Sequence, residues 1–367
     1  MLKDSLGVLE KSQKIDAVGS LLAWYDVAKR DLPWRFSGKK DVNPYHVWLS
    51  EIMLQQTTVK AVKPYYISFL ELWPKIEELA AEDLNEVLKA WAGLGYYSRA
   101  RNLHACAKMV VEKFDGIFPD EEKELLKLPG VGAYTAAAIA SIAFGKPATV
   151  VDGNVERVIS RLFAVTTPLP GGKSELKALA ETLTPNERPG DYAQAMMDLG
   201  ATICSPKRPS CLICPVQKYC DANAQGIEAE LPKRAPKAER PTRKGIVFVA
   251  LNDDGKMLLR ERPHEGLLGG MTEVPSTEWT EKGPVKEEMA GLAPIRADWI
   301  PVGGTVSHTF THFKLELEVY RAFVASNSSL NLWAKPEKCR WVDRSEVMKE
   351  ALPSVMKKVV THALKGQ

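Results

Sequence analysis

Four cysteines lie within one short stretch of this chain: Cys204, Cys211, Cys214 and Cys220, spaced C-x6-C-x2-C-x5-C. Four thiolates in one loop can hold a 4Fe–4S cluster, one Cys per iron, and that ties down the fold of the loop. Structural zinc sites usually bring together two separated Cys-x-x-Cys knuckles, and this stretch has only Cys211 to Cys214. A disulfide framework suits a small secreted domain. This chain has 367 residues and a charged start, MLKDSLGVLEKSQK, with no apolar segment of signal-peptide type. The cluster is favoured over zinc and disulfides. Cys106 and Cys339 remain, and both are expected to be free buried thiols. Six cysteines without an export signal fit a reducing cytoplasm.

The length suits two domains better than one core. Hydrophobic residues at 45% and charged residues at 26% are ordinary for a soluble globular protein. A net charge of +3 argues only weakly for a polyanionic partner, so a nucleic-acid signal must lie in local patches. No apolar run reaches membrane-spanning length. The first 225 residues read as helices joined by short turns, without strand-like alternation, and predict an all-α half. Apolar residues recur at helical spacing over 45–71, and further helical patterns cover 85–92, 99–114, 121–127, 133–144, 153–164, 174–183 and 191–203. Residues 226–245 hold three prolines and six basic residues without periodicity and read as an extended linker, its charge more readily solvated than bound to DNA. From 246 the pattern becomes α+β. Ile246–Leu251 and Lys256–Arg260 flank the turn signal NDDG, 313–319 alternates as a half-buried strand, and 284–291 and 345–364 look helical.

Residues 125–139, LLKLPGVGAYTAAAI, place a tight Pro129–Gly132 turn between two helices. The amides of Gly130, Val131 and Gly132 and of the next helix start suit a phosphate oxygen. The stretch resembles the helix-hairpin-helix motif of DNA glycosylases; a plain helical corner is the competing reading. Lys207 and Arg208, inside the cysteine loop, can add sequence-neutral phosphate contacts.

Two carboxylates stand out for acid and charge-stabilising roles in cutting a bond between a base and its sugar. Glu51, in VWLSEIMLQQT, has apolar neighbours that would raise its pKa by desolvation. By itself a helical glutamate is more often a surface residue. Asp152, in TVVDGNVERV, reads as a helix N-cap, and a capping aspartate stays ionised.

The combination WR, SEIMLQQT, GLGYYSRARNL, LPGVGAYT, VDGNVERV and the four cysteines resembles the adenine DNA glycosylases of the MutY type, strongly over 20–225. The resemblance implies a six-helix barrel over about 35–150, with the N-terminal helix and 151–225 forming the iron–sulfur part. It implies a monomer that excises adenine opposite 8-oxoguanine or guanine in double-stranded DNA, in the cytoplasm at the nucleoid. Glu51 would protonate adenine N7. Asp152 would stabilise the oxocarbenium ion or bond to the sugar, with Asn154 and Tyr134 assisting. Gln56 and Tyr96 would wedge into the base stack, and Arg30 and Gln194 would contact the extruded base. Trp34 and Leu54 are candidates for the pocket wall or for core packing. The endonuclease III branch carries a Schiff-base lysine where this chain has Tyr134. A monofunctional glycosylase is therefore expected over a bifunctional glycosylase/lyase or a non-catalytic iron–sulfur DNA-scanning protein.

Adenine is a normal base, so an enzyme removing it must read the base opposite. Residues 246–367 resemble the nudix-like domain that does this in the family, with the family's Phe-Ser-His present as Phe310-Thr311-His312. Its Gly-Leu-Trp-Glu-Phe-Pro stretch appears as Gly270-Met271-Thr272-Glu273-Val274-Pro275. The run PVKEEMAGL, 284–292, lacks the arginine and first glutamate of a catalytic nudix helix, so no pyrophosphohydrolase activity is expected.

Overall fold

The computed structural model describes residues 10–35, 42–236, 239–263, 266–285 and 289–365. Cα packing divides the chain into two compact units, 1–83 with 101–236, and 84–100 with 237–367. The helices run in order α1 (Lys11–Ala28), α2 (Pro44–Leu54), α3 (Val59–Leu72), α4 (Ile76–Ala81), α5 (Leu84–Ala90), α6 (Tyr97–Phe114), α7 (Glu122–Leu125), α8 (Ala133–Phe144), α9 (Gly153–Leu162), α10 (Lys173–Glu181), α11 (Pro189–Thr202) and α12 (Asp221–Gln225). Among the described residues this half has no strand longer than the isolated bridge Leu169–Arg234, so the all-α expectation holds.

The helical pattern over 45–71 is two helices, not one. Gln56 takes φ 56°, and the Thr58 side chain caps α3 by accepting from the Ala61 amide. The break escapes sequence reading because neither Gly nor Pro marks it. α2 is buried nearly all round, from Tyr45 through Met53. It packs on α8, whose small residues from Thr135 to Ser141 are also buried. α11 packs on α8, α9 and α1. At Gly190 a Cβ would lie 2.6 Å from the Ser141 carbonyl oxygen and 2.9 Å from the Ile142 Cα, so only glycine lets α11 approach α8 this closely. A second cluster gathers Leu21 and Tyr25 of α1, Val158 and Ile159 of α9 and Leu199 of α11, with Cys204, Cys214 and Cys220 against its edge.

The stretch read as a linker carries structure along part of its length. Leu231 is buried, and Leu169 exchanges backbone hydrogen bonds with Lys233 and Ala235. Thr242 already begins β1. The strands are β1 (Thr242–Asn252), β2 (Lys256–Glu261), β3 (Thr272–Glu273), β4 (Ile300–Thr309), β5 (Lys314–Val324) and β6 (Cys339–Asp343), with α13 (Met289–Leu292) and α14 (Ser354–Ala363). They form one mixed sheet in the order β3-β2-β1-β5-β4, with β6 on β2. β1 runs parallel to β5 in unbroken register from Thr242–Lys314 to Asn252–Val324. Both its faces are covered: Val247, Val249 and Leu251 join the core with α14, and Ile246 and Phe248 pack on the opposite side. This is the α+β second domain expected. The helix read over 345–364 is shorter, because Pro353 delimits α14 and only a 3-10 turn, Val347–Lys349, precedes it. Of the run 284–292, Lys286, Glu287 and Glu288 lie outside the described residues. Cys106 is buried and free, as expected; Cys339 is free but only half-buried, because β6 lies at a sheet edge. No helix among the described residues is long and apolar enough to cross a membrane.

Replacing Gly190 by Ala is expected to lower stability by about 1–3 kcal/mol through overpacking against α8. Gly19→Ala, at an exposed site in α1 with nothing within 4 Å of the new methyl, is expected to raise it by about 0.5–1 kcal/mol. Thermal melts of the two variants should move in opposite directions.

Candidate active site

Of the residues singled out from the sequence, Arg30, Trp34, Glu51, Leu54, Gln56, Tyr134, Asp152, Asn154 and Gln194 line one cavity of about 510 Å³ in the helical unit. α2 supplies Glu51 and Leu54, α8 supplies Tyr134, the start of α9 supplies Asp152 and Asn154, and α11 supplies Gln194. Trp34 serves both readings, since it lines the cavity and packs edge-on to Tyr66 at 5.4 Å.

Glu51 is only 5% exposed despite facing this cavity. The Tyr134 hydroxyl donates to its Oε2 at 2.6 Å. Burial pushes the Glu51 carboxyl up to about 7; the Tyr134 hydrogen bond and Arg35 oppose the rise, and the nearby Asp152 charge adds to it. Burial holds the Tyr134 phenol well above its ordinary range, so it donates a hydrogen bond rather than ionising.

Asp152 caps α9. Its Oδ1 accepts from the Asn154 and Val155 amides at 2.9 and 2.7 Å, and its Oδ2 from Asn154 Nδ2 at 2.9 Å. Such bonds fix the plane of the side chain. Asn154 is held in turn, its Oδ1 accepting from Arg157 at 2.9 Å. Gly200 of α11 leaves room for it, since a Cβ there would lie 2.6 Å from the Asn154 Cβ.

Several contributors were not singled out in the sequence. Asp198, fully buried, receives Arg30 Nε at 2.5 Å and Arg35 Nη2 at 2.7 Å, so two cationic side chains at the cavity are held by one carboxylate. The signal was a lone Asp in the apolar run AQAMMDLGA. Arg157 also donates to the Cys204 carbonyl at 2.8 Å. Arg161, 1% exposed, donates to the Ser205, Pro206 and Leu231 carbonyls and lies 3.2 Å from Cys204 Sγ. Both look like solvent-facing arginines in sequence.

Cys204, Cys211, Cys214 and Cys220 line one small cavity of about 20 Å³ and form no disulfide. Among the described residues no three His, Cys, Asp or Glu side chains stand together as ligands of a single metal ion. Lys207 and Arg208 are exposed on the same loop. At the hairpin, Gly130 takes φ 75° and its missing Cβ gives way to Asn102. Val131 is buried, and Gly132 caps α8 without a side-chain bond to the first-turn amides.

Tyr96, Phe310, Thr311 and His312 belong to the other unit. Tyr96 is 52% exposed, at φ 49°, with the Arg99 guanidinium 5.5 Å from its ring. Phe310 stacks on Phe313 at 4.8 Å, and its amide bonds the Phe313 carbonyl, which leaves Thr311 and His312 exposed at the tip of the β4–β5 hairpin. Glu273, which replaces nothing in the family stretch, is buried against Arg260 and Arg262.

Residues 49–185 match the HhH-GPD superfamily of base excision DNA repair proteins, and 246–362 match the NUDIX domain. The chain is 38% identical to the adenine DNA glycosylase of Homo sapiens, over 93% of this chain and 72% of that protein. It is 30% identical to the adenine DNA glycosylase of Buchnera aphidicola subsp. Baizongia pistaciae, over 93% and 95%. The structure of a thermostable thymine-DNA glycosylase superposes on 58% of this chain and 98% of its own, with a TM-score of 0.52 and 33% identity. With matches of this extent to both halves, the chain belongs to the adenine DNA glycosylases, base excision repair enzymes that act on N-glycosidic bonds.

Proposed function

We propose that this glycosylase removes adenine from opposite 8-oxoguanine or guanine in duplex DNA, as a monofunctional hydrolase, with Glu51 as acid and Asp152 as the stabilising anion. The observation that carries this reading is the meeting of a buried, proton-retaining Glu51 and a capped Asp152 in one cavity. Adenine enters after leaving the base stack. Gln194, whose amide nitrogen bonds the Gly190 carbonyl at 3.2 Å, keeps its carbonyl oxygen for the base. Arg30, anchored on Asp198, faces the same space. Tyr134 occupies Glu51 Oε2, so the proton sits on Oε1 and passes to adenine N7 as the bond to the sugar breaks. The bonding electrons leave with the base. Asp152 balances the positive charge on the sugar, directly or by a transient bond, until water adds and loses a proton. Tyr134 carries no amine, so no Schiff base forms.

The four cysteines are assigned to a 4Fe–4S cluster. Four thiols on one cavity suit one thiolate per iron, and the Arg161 guanidinium beside Cys204 Sγ suits a hydrogen bond to an anionic sulfur. Bound there, a cluster would make the loop rigid, and Lys207 and Arg208, exposed on it, would meet phosphates alongside the Gly130–Gly132 hairpin. Endonuclease III has been captured in a non-covalent complex with DNA, with a TM-score of 0.50 and 27% identity to this chain. We assign 1–225 to excision, 226–245 to the linker and 246–367 to reading the opposite base, with the exposed Thr311 and His312 as its contacts and Phe310 as their support. Gln56 and Tyr96, both at positive φ, are assigned to opening the duplex. The protein acts as a monomer in the cytoplasm, at the nucleoid.

Asp152→Asn is expected to abolish adenine release while binding to the same duplex persists; release at the native rate would overturn the mechanism. Products of the native enzyme on A:8-oxoguanine duplexes should stay unnicked until alkali is added. Glu51 also makes stability depend on pH. Its folded pKa is raised from 4.5 to about 7, so the favourable state is fully present below pH 4.5 and is lost as pH rises through 7. Glu51→Gln is therefore expected to be the more stable protein at pH 8, by on the order of 3 kcal/mol, and to lose that advantage near pH 4. Denaturant melts at both pH values measure it.

A further inference from the structure

The second unit carries an open groove of about 550 Å³ between the edge strand β4 and α14. Lys357, Lys358, His362 and Lys365 form one wall, and Thr305 to Ser307 the other. Among the described residues no acidic side chain lines it, and α14 contains none. On the neighbouring strand β5, Glu316 and Glu318 pair with Ser307 and Thr305. Alternate residues of a strand face opposite ways. Leu315 and Leu317 pack with Val355 and Val359 of α14, so the two glutamates lie on the far face of the sheet. The Lys358 ammonium rests 3.2 Å from the Ser307 carbonyl oxygen, which brings its charge to the strand. The His362 Nε2 atom is buried and has no hydrogen-bond partner among the described residues. A buried polar nitrogen left unmet costs free energy, and an acceptor entering the groove would relieve it.

We propose that this groove binds the phosphodiester backbone of the DNA duplex, with the lysines and His362 meeting successive phosphates. The proposal rests on the reading of this unit as the opposite-base domain. Two features favour a phosphate chain over a single anion or an acidic peptide. Lys357, in α14, and Lys365, two residues beyond its end, are eight residues apart, on the order of 10 Å, which is wider than one phosphate. β4 also runs from the groove directly into the exposed hairpin tip: Ser307 precedes Phe310 by three residues, about 10 Å of strand. A duplex whose base meets that tip would lay its backbone along the groove. Such contacts carry no sequence information and add affinity that salt weakens.

The test compares the full-length, cluster-loaded native protein with the triple variant Lys357→Gln, Lys358→Gln, Lys365→Gln and with the corresponding triple Arg variant. Binding is measured across a sodium chloride series to a duplex carrying an uncleavable adenine analogue opposite 8-oxoguanine. The Gln variant should lose about 2–3 from the slope of log affinity against log salt, near 0.9 per phosphate contact. The Arg variant should keep the native slope, and single-turnover adenine release at saturating enzyme should be native in both. An unchanged slope in the Gln variant overturns the proposal, as does equal weakening in the Arg variant. So does loss of inorganic phosphate or polyglutamate binding with duplex binding intact, which would give the groove to another anion. The native protein's preference for 8-oxoguanine over cytosine opposite adenine judges the underlying domain reading separately, since it does not involve the lysines.

Discussion

The desolvated carboxyl of Glu51 is the constraint around which the helical unit is arranged. A carboxyl only 5% exposed, in a cavity it shares with Val47, Leu54, Ile142 and Met197, keeps its proton to about pH 7. In water it would give that proton up more than two pH units lower. The burial of α2 on α8, which the alanine-rich surface of α8 permits, therefore produces an acid as well as a core. The Tyr134 hydroxyl fixes which oxygen remains available.

One helix connects that acid's partner to the cysteine loop. The first residue before α9, Asp152, is held by backbone amides; one turn in, Arg157 joins Asn154 to the Cys204 carbonyl; another turn on, Arg161 grips the loop at Ser205 and Pro206. Residues at i, i+3 and i+7 share a helix face, so a displacement of the loop is transmitted to the carboxylate's support. Buried arginines of this kind are destabilising unless each nitrogen finds an acceptor, and here carbonyl groups of the loop and of Leu231 provide them. The loop and the cavity are consequently parts of one polar network, which gives the cysteine stretch a structural purpose independent of electron transfer.

What could be read in the sequence was local. The Asp152 cap depends on amides two and three residues away, and part of the apolar lining beside Glu51, Val47 and Leu54, lies within its own helix. The second half declared itself α+β through the NDDG hairpin and the alternation before Val319. Contacts across long separations were silent. Asp198 with Arg30 and Arg35 joins residues more than 160 positions apart, and no pattern within either segment specifies the other. β1 hid its central place because a strand covered on both faces has no alternation, and its parallel pairing with β5 is set by the intervening chain. The break between α2 and α3 was missed because Gln56 adopts a left-handed backbone that sequence punctuation assigns to glycine.

The protonation of Glu51 can be observed without turnover. Infrared difference spectra of the native protein against Glu51→Gln, recorded across a pH series, isolate the carbonyl stretch of this one carboxylic acid. The account requires that band to persist through pH 6 and to fade with a midpoint near 7. A band that disappears near pH 4.5, as for a solvated glutamate, would mean that Glu51 is ionised at working pH and has no proton to give the departing base.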